Sequence, residues 1–162
     1  MNTLTLLCRH AKSRRLWFLL AGTLAILSVP AISHAEKKDG LTKITVYKTP
    51  SCRCCRKWIS HLEKNGFEVE AYNKENMSSI KYKMGIEPKY QSCHTAMVDG
   101  YYIEGHVPAD DIRRLLKEKP TAAGLTVPGM PKGSPGMEVG GKDPYAVLLV
   151  DKAGKQKVYN RY

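Results

Sequence analysis

The chain has 162 residues, five cysteines and a formal net charge of +11. A strongly basic balance is typical of nucleic-acid-binding proteins, but no run of basic and aromatic residues here forms a stacking platform. We therefore exclude nucleic acid as a partner. We attribute the charge mainly to solvated surface, with some attraction for anionic membranes or acidic partners.

Residues 1–35 have the features of a secretory signal peptide. Four basic residues and no acid precede the apolar run 16–32, and Ser33 and Ala35 supply small side chains at the cleavage site. An uncleaved membrane anchor is the alternative, but the run is near the lower length limit for a span and Pro30 interrupts it. We predict export to the periplasm, no stable membrane span after cleavage, and a mature chain of 162 − 35 = 127 residues with net charge 11 − 4 = +7.

The mature chain begins with a flexible polar segment, residues 36–42, and continues as one domain, residues 43–162. The stretch "KITVYKT" (43–49) is short and rich in β-branched and aromatic residues, which predicts a strand. A helix follows, because apolar residues recur at helical spacing until Asn65-Gly66. Residues 67–71 alternate apolar and charged side chains and predict a second strand, parallel to the first by the right-handed crossover rule.

A second, weaker helix is predicted from Met77 to Met84. The runs "TAMV" and "YYIEG" are joined by Asp99-Gly100, which is a strong hairpin signal. A third helix is expected between Pro108 and Pro120, because two aspartates follow the first proline. These elements predict a mixed four-stranded sheet with flanking helices.

Residues 121–145 are dense in glycine and proline and are predicted to form no regular element. A structureless stretch of this length inside a compact domain is usually functional or disordered. The last stretch, "YAVLLVDKAGKQKVYNRY", places two apolar runs around a turn and predicts a second hairpin. The expected fold class is therefore α/β, with a Gly/Pro-rich loop and a C-terminal β-hairpin.

The stretch "TPSCRCCRKW" (49–58) holds three cysteines at the start of the first helix. An even count of four cysteines in the exported chain would normally indicate structural disulfides. The spacing argues against this reading, because a bond among residues 52–55 closes a very short loop and contributes little stability.

Cys52 and Cys55 have the CxxC spacing of thiol–disulfide oxidoreductases. The helix N-terminus and the neighbouring cations favour thiolates, which are both redox nucleophiles and ligands for soft metals. A redox pair and a metal site are therefore both open at this point. Cys54 favours metal, because a redox pair does not need it whereas a site for several soft cations can use it as a bridging ligand.

Cys93 and His94 directly precede the hairpin strand, and the predicted fold turns this point toward the N-terminus of the first helix. Thiol oxidoreductases usually carry a proline there that keeps metals out, whereas "QSCHTAMV" carries two potential ligands. His106 lies near the same edge, and Met130 and Met137 offer soft thioethers from the Gly/Pro-rich loop. Each of these residues also has an alternative structural interpretation, as a hydrogen-bonded histidine, a loop residue or a packing methionine.

His61 lies two turns beyond Cys54, about 11 Å along the helix, which is too far to share one ion. We therefore interpret it as a surface residue.

From about Lys43 to Tyr162 the chain resembles the CopG-type copper-resistance proteins. The most specific segments are "YKTPSCRCCRKW", "QSCHTAMVDGYYIEGHVPADDIRRLL" and "VPGMPKGSPGMEVGGKDPYAVLLVD". The resemblance implies an exported, thioredoxin-like domain with a CxCC site whose sulfurs bridge several copper ions, and a link to interconversion of Cu(I) and Cu(II). Arg53 and Arg56 stand where the family pattern often has glycine.

The sequence thus predicts an exported protein of copper resistance, with silver as a second metal, that binds Cu(I) in a cysteine-bridged multinuclear cluster. Copper chaperones or efflux components are the expected partners, and the residues leave open whether the protein turns over as a copper oxidoreductase. The alternatives are a periplasmic thiol–disulfide oxidoreductase that uses Cys52 and Cys55, and a zinc-stabilised module with four cysteine ligands. The candidate ligands are Cys52, Cys54, Cys55, Cys93, His94, His106, Met130 and Met137.

Overall fold

The structure is a computed structural model that describes residues 41–162. The predicted signal peptide and residues 36–40 of the polar segment lie outside the described residues. The elements, in chain order, are β1 Thr42–Lys48, α1 Arg53–Lys64, β2 Phe67–Asn73, α2 Met77–Lys83, a 3-10 turn Pro88–Tyr90, β3 Thr95–Val98, β4 Tyr101–Gly105, α3 Ala109–Glu118, β5 Gly124–Val127, β6 Ala146–Val150 and β7 Gln156–Arg161.

The strands of residues 41–162 form one mixed sheet of seven strands in the order β2-β1-β3-β4-β5-β6-β7. The predicted parallel pairing of β1 with β2 is confirmed, as are the β3–β4 hairpin and the C-terminal β6–β7 hairpin. The α/β class with a mixed sheet is therefore confirmed. The closer likeness to thioredoxin stays a prediction.

The sheet is larger than the predicted four strands because the Gly/Pro-rich stretch contains a strand. The prediction that residues 121–145 form no regular element is wrong for β5, which pairs parallel with β4 and antiparallel with β6. Gly124 explains how β5 fits, since a Cβ there would lie 2.0 Å from the Tyr102 carbonyl oxygen. This short buried strand joins the C-terminal hairpin to the rest of the sheet, a pairing that local sequence composition does not reveal.

Helices α1 and α3 pack on one face of the sheet and bury most of the core there. Trp58 and Leu62 of α1 and Ile112 of α3 are fully buried against strand residues such as Ile44. Trp58 also donates its indole N–H to the Val107 carbonyl at 2.9 Å. Because Val107 follows β4, this bond joins the first helix to the segment that carries His106.

A smaller cluster lies on the opposite face and includes Ile86, Tyr90 and Tyr102. Successive side chains of β3 and β4 point alternately to the two faces of the sheet, as expected for the period of two along a strand. Within residues 41–162, no helix combines the length and the apolar character needed to cross a membrane.

Candidate metal centre

The CxCC segment forms the N-terminus of α1. The backbone N–H of Cys52 donates to the Thr49 carbonyl at 3.2 Å, which closes the turn after β1. Cys52 is the N-cap residue, and its Sγ accepts the backbone N–H of Cys55 at 3.3 Å. The first helical turn contains no acidic residue. The sulfurs therefore lie at the positive end of the helix dipole, where negative charge is favoured.

The four cysteine sulfurs of residues 41–162 lie together. The Sγ atoms of Cys52 and Cys54 are 3.5 Å apart, and Cys93 Sγ is 3.6 Å from the Sγ atoms of both Cys54 and Cys55. All four lie within 4.8 Å of one another. The structure thus brings Cys93 to the CxCC segment from 38 and 39 positions away in the chain.

Two of these sulfurs are joined as a Cys52–Cys55 disulfide, and Cys54 and Cys93 are free thiols. The bond spans only three positions, so it follows the CxxC redox spacing and is not a long-range structural cross-link. All four sulfurs become available as thiolates only after the disulfide takes up two electrons and the remaining protons leave.

Cys93 also belongs to a second group of potential metal ligands, which it forms with His94 and His106. Its Sγ lies 3.2 Å from His94 Nδ1 and 3.2 Å from His106 Nε2, and the three ligand atoms lie within 4.8 Å of one another. Burial is the main reason that the pKa of the Cys93 thiol is raised to about 12, and the neighbouring Cys54 raises it further. A metal ion or a nearby base is therefore needed to remove its proton.

His94 is fully buried beside Trp58, with a distance of 4.3 Å between ring centroids. Burial, together with the proximity of His106 and the charge of Lys81, holds the pKa of His94 well below its usual value. Its Nε2 has no hydrogen-bond partner among residues 41–162. The ring is therefore neutral, which is the form that binds metals, and one nitrogen is unsatisfied in the absence of a ligand.

His106 is oriented by the Gly/Pro-rich loop. Its Nδ1–H donates to the Pro135 carbonyl at 2.8 Å, so the lone pair of Nε2 faces Cys93. Burial lowers the pKa of His106, although the Pro135 carbonyl and the Glu138 carboxylate act in the opposite direction. A backbone carbonyl on the far nitrogen is a common way to orient a metal-binding imidazole.

The two predicted methionine ligands have different environments. Met137 follows Gly136, whose φ is +88° and where a Cβ would lie 2.8 Å from the Cys54 carbonyl oxygen. This close approach brings Met137 beside Cys54, and both line a cavity of about 400 Å³. Met130 follows Gly129, whose carbonyl accepts the Ser92 hydroxyl, but 52% of Met130 is exposed. The structure therefore puts Met137 at the cysteine site and Met130 on the outer surface nearby.

A buried ion pair behind the site was not predicted from the sequence. Glu104 pairs with Lys81, and its two carboxylate oxygens also accept the Ser92 N–H at 2.6 Å and the Thr95 hydroxyl at 2.5 Å. Glu104 thus holds both ends of the segment that carries Cys93 and His94. The signal in the sequence was an acid in the otherwise apolar strand "YYIEG", but its partner lies on another element.

His61 is half-buried, so its interpretation as a simple surface residue is wrong. Its Nε2 accepts the backbone N–H of Ala109 at 3.1 Å, which satisfies a free N–H at the start of α3. Burial lowers the pKa of His61, in keeping with a neutral ring that accepts this bond. This contact is 48 positions apart in the chain, which is why helix spacing alone did not reveal it.

The fold and the site together define an α/β protein with a compact group of sulfur and imidazole donors, the donor set of a soft-metal site. Two solved structures, forms 2 and 1 of the copper resistance protein CopG, are each 43% identical to this chain. Each match covers 75% of this chain and 98% of the solved chain, with TM-scores of 0.73 and 0.72. The chain belongs to the CopG family of copper resistance proteins.

A family model described as a protein of unknown function, DUF411, matches residues 90–137. That segment contains Cys93, His94, His106 and both candidate methionines, but not the CxCC segment. No curated protein matches the chain.

Proposed function

We propose that this protein acts in copper resistance by binding several Cu(I) ions in a cysteine-bridged cluster and by interconverting Cu(I) and Cu(II). The observation that carries the proposal is the shared position of Cys93, which lies within 3.6 Å of two cysteine sulfurs and within 3.2 Å of two imidazole nitrogens. A sulfur with neighbours on both sides is placed to bridge metal ions. One tetrahedral ion would use only four of the six donors.

The chemistry of the donors fits copper. Thiolates select Cu(I), and neutral imidazoles suit copper in general. His94 and His106 are both held neutral by burial, and the unsatisfied Nε2 of His94 is a buried atom that a ligand would satisfy. Cys52, Cys54, Cys55 and Cys93 supply the core ligands. His94, His106 and Met137 complete the site, with Met130 as an outer ligand.

Loading the site releases protons, because metals bind thiolates and not thiols. The Cys93 thiol lies 3.2 Å from His106 Nε2, whose lone pair faces it. Binding of a metal ion to the sulfur makes the thiol more acidic, and this imidazole is then placed to accept the proton of Cys93 and pass it on before the nitrogen itself becomes available to a metal. The buried thiol of Cys93 thus has a base within hydrogen-bond distance.

The Cys52–Cys55 pair accounts for the change in copper oxidation state. The dithiol gives one electron to each of two Cu(II) ions, forms the disulfide and releases two protons. The products are two Cu(I) ions, which only Cys54 and Cys93 can bind in this oxidised state, whereas the four-cysteine cluster forms in the reduced protein. The reverse direction consumes two Cu(I) ions, the disulfide and two protons, so electrons and protons balance both ways.

The predicted signal peptide directs this activity to the periplasm, where excess copper attacks the thiols of other proteins. A copper chaperone or an efflux system is the expected source or recipient of the metal.

Anaerobic loading of the reduced protein with Cu(I), followed by metal and protein analysis, tests the cluster. We expect more than one copper per chain and a lower number in Cys54→Ser, because that change removes a bridging sulfur. One copper or fewer per chain, unchanged in Cys54→Ser, would rule out the cluster. Preferential binding of one Zn²⁺ by the four cysteines would instead support the zinc-stabilised module.

A thiol–disulfide oxidoreductase is the second candidate, and the Cys52–Cys55 disulfide at a helix N-terminus is the observation that favours it. This function predicts reduction of insulin disulfides without metal, at a rate that Cys54→Ser leaves unchanged. Loss of the activity in Cys52→Ser provides the control. Absence of insulin reduction by the metal-free protein would leave copper chemistry as the role of the pair.

A further inference from the structure

The solvent side of α1 carries a stripe of cations that the copper chemistry does not use. Arg53, Lys57 and Lys64 follow the i, i+4 and i+11 positions of one helix face, and Arg56 flanks them. All four are exposed. We call these four residues the basic face. They line an open cavity of about 590 Å³ together with Ser60, His61 and Glu138.

The protein neutralises only part of the charge of the basic face. Among residues 41–162, none of its four cations takes part in an ion pair. Glu138 is the carboxylate that lines the cavity; it interacts with the charge of Lys57, while its Oε1 accepts the Gly136 N–H at 2.8 Å. Asp110 lies near His61 but pairs with Arg113. The cavity therefore presents a net positive surface to solvent.

The basic face adjoins the cysteine site. Arg53 and Lys57 line both the open cavity and the smaller cavity that contains Cys54 and Met137. A ligand bound on the basic face is thus next to the free thiol of Cys54. A free copper cation is repelled at this entrance, whereas a negatively charged carrier of copper is attracted.

We propose that the basic face docks an acidic segment of the protein with which this protein exchanges copper, an inference that rests on the proposed function. The stripe from Arg53 to Lys64 is about 16 Å long at the rise of an α-helix. An extended segment of about five residues has the same length. A small chelate is shorter than the stripe, and a membrane is flat whereas the cations line a concave cavity. An acidic protein segment fits both features.

The electrostatic role is to increase the rate of encounter and to align the partner's metal site with Cys54, since charge complementarity acts mainly on association and orientation. Docking of an acidic partner also explains how Arg53 and Arg56 are compatible with a site that binds copper cations. The metal arrives bound to an acidic partner, so the partner's carboxylates meet the positive charges before the metal reaches the sulfurs.

The test uses the purified, metal-free protein and a fluorescein-labelled octaglutamate peptide, with binding followed by fluorescence anisotropy. Arg53→Glu/Lys57→Glu removes the cations nearest Cys54, and Lys152→Glu/Lys157→Glu is the matched control. The control makes the same change in net charge at exposed positions of the β6–β7 hairpin, one in its turn and one on β7. We expect peptide binding to weaken about tenfold or more in the first variant, and less than about twofold in the control.

Equal weakening in both variants would mean that only net charge matters, and no weakening in either would mean that the basic face is not used. Either result overturns the proposal. If Arg53→Glu/Lys57→Glu does not fold, Arg53→Gln/Lys57→Gln replaces it and Lys152→Gln/Lys157→Gln becomes the control, with a smaller expected loss in the same direction. Vesicles of phosphatidylglycerol are titrated in parallel, and binding that requires the basic face for vesicles but not for the peptide also overturns it.

Because no copper is present, peptide binding succeeds or fails independently of the copper cluster. Failure of Cu(I) loading with intact peptide binding removes the proposed function but keeps the docking surface. The opposite result removes the docking surface alone.

Discussion

Replacement of Glu104 by leucine should destabilise the protein strongly. The side chains of Lys81 and Glu104 are 4% and 0% exposed, so water does not screen their pair. Breaking a buried ion pair by removing one partner typically costs about 3–5 kcal/mol, far above the roughly 0–1 kcal/mol of an exposed pair. The Ser92 N–H and the Thr95 hydroxyl also lose their acceptor, so we expect the upper part of that range.

Equilibrium denaturation in urea, followed by far-UV circular dichroism, measures this change. The double variant Lys81→Met/Glu104→Leu is the control, because removal of both charges leaves no buried ion unpaired and should recover most of the lost stability. Its Ser92–Thr95 segment still lacks the carboxylate, so we expect Cu(I) affinity to stay about tenfold or more below that of the wild type. A loss below about 1 kcal/mol in Glu104→Leu, or no recovery in the double variant, would show that the buried ion pair does not stabilise the fold in this way.

Three further predictions concern the site. Gly136→Ala should lower stability by about 1–3 kcal/mol in the same urea assay and reduce copper loading, because the added Cβ meets the Cys54 carbonyl at 2.8 Å and the residue has a positive φ. The free energy of unfolding should fall as the pH drops below 6.5, the ordinary pKa of histidine, because the unfolded state then binds a proton on His94 and the folded state does not. The expected slope is about 1.4 kcal/mol per pH unit, and His94→Leu should reduce this slope. Reduction of the Cys52–Cys55 disulfide should lower the free energy of unfolding by no more than about 2 kcal/mol, because the closed loop is very short.

Each of these has a distinct contrary outcome. Wild-type stability and copper loading in Gly136→Ala would show that the loop does not press on α1. An acid slope that is the same in His94→Leu would assign the pH dependence to other groups. A loss well above 2 kcal/mol on reduction would mean that the disulfide supports the fold and not only the redox chemistry.

Much of the fold was accessible from local patterns. The bounds of α1 and α3 followed from apolar spacing and from proline and glycine at the ends, and the β3–β4 hairpin followed from Asp99-Gly100. These features depend on neighbours within a few residues, so the sequence displays them directly. β5 was missed because its signal is four residues long and lies in a stretch whose composition opposes regular structure.

The candidate metal centre likewise has features that local sequence patterns predict and features that they do not. Local patterns in the sequence were enough to place three thiols at a helix N-terminus among cations and to predict that Cys93 and His94 turn toward them. The 3.6 Å separations between sulfurs, the orientation of His106 by Pro135, and the ion pair of Glu104 with Lys81 became visible only in the folded protein. Helix periodicity and turn chemistry are local, whereas these contacts join residues that the pairing of distant strands and the close packing of a glycine-rich loop bring together.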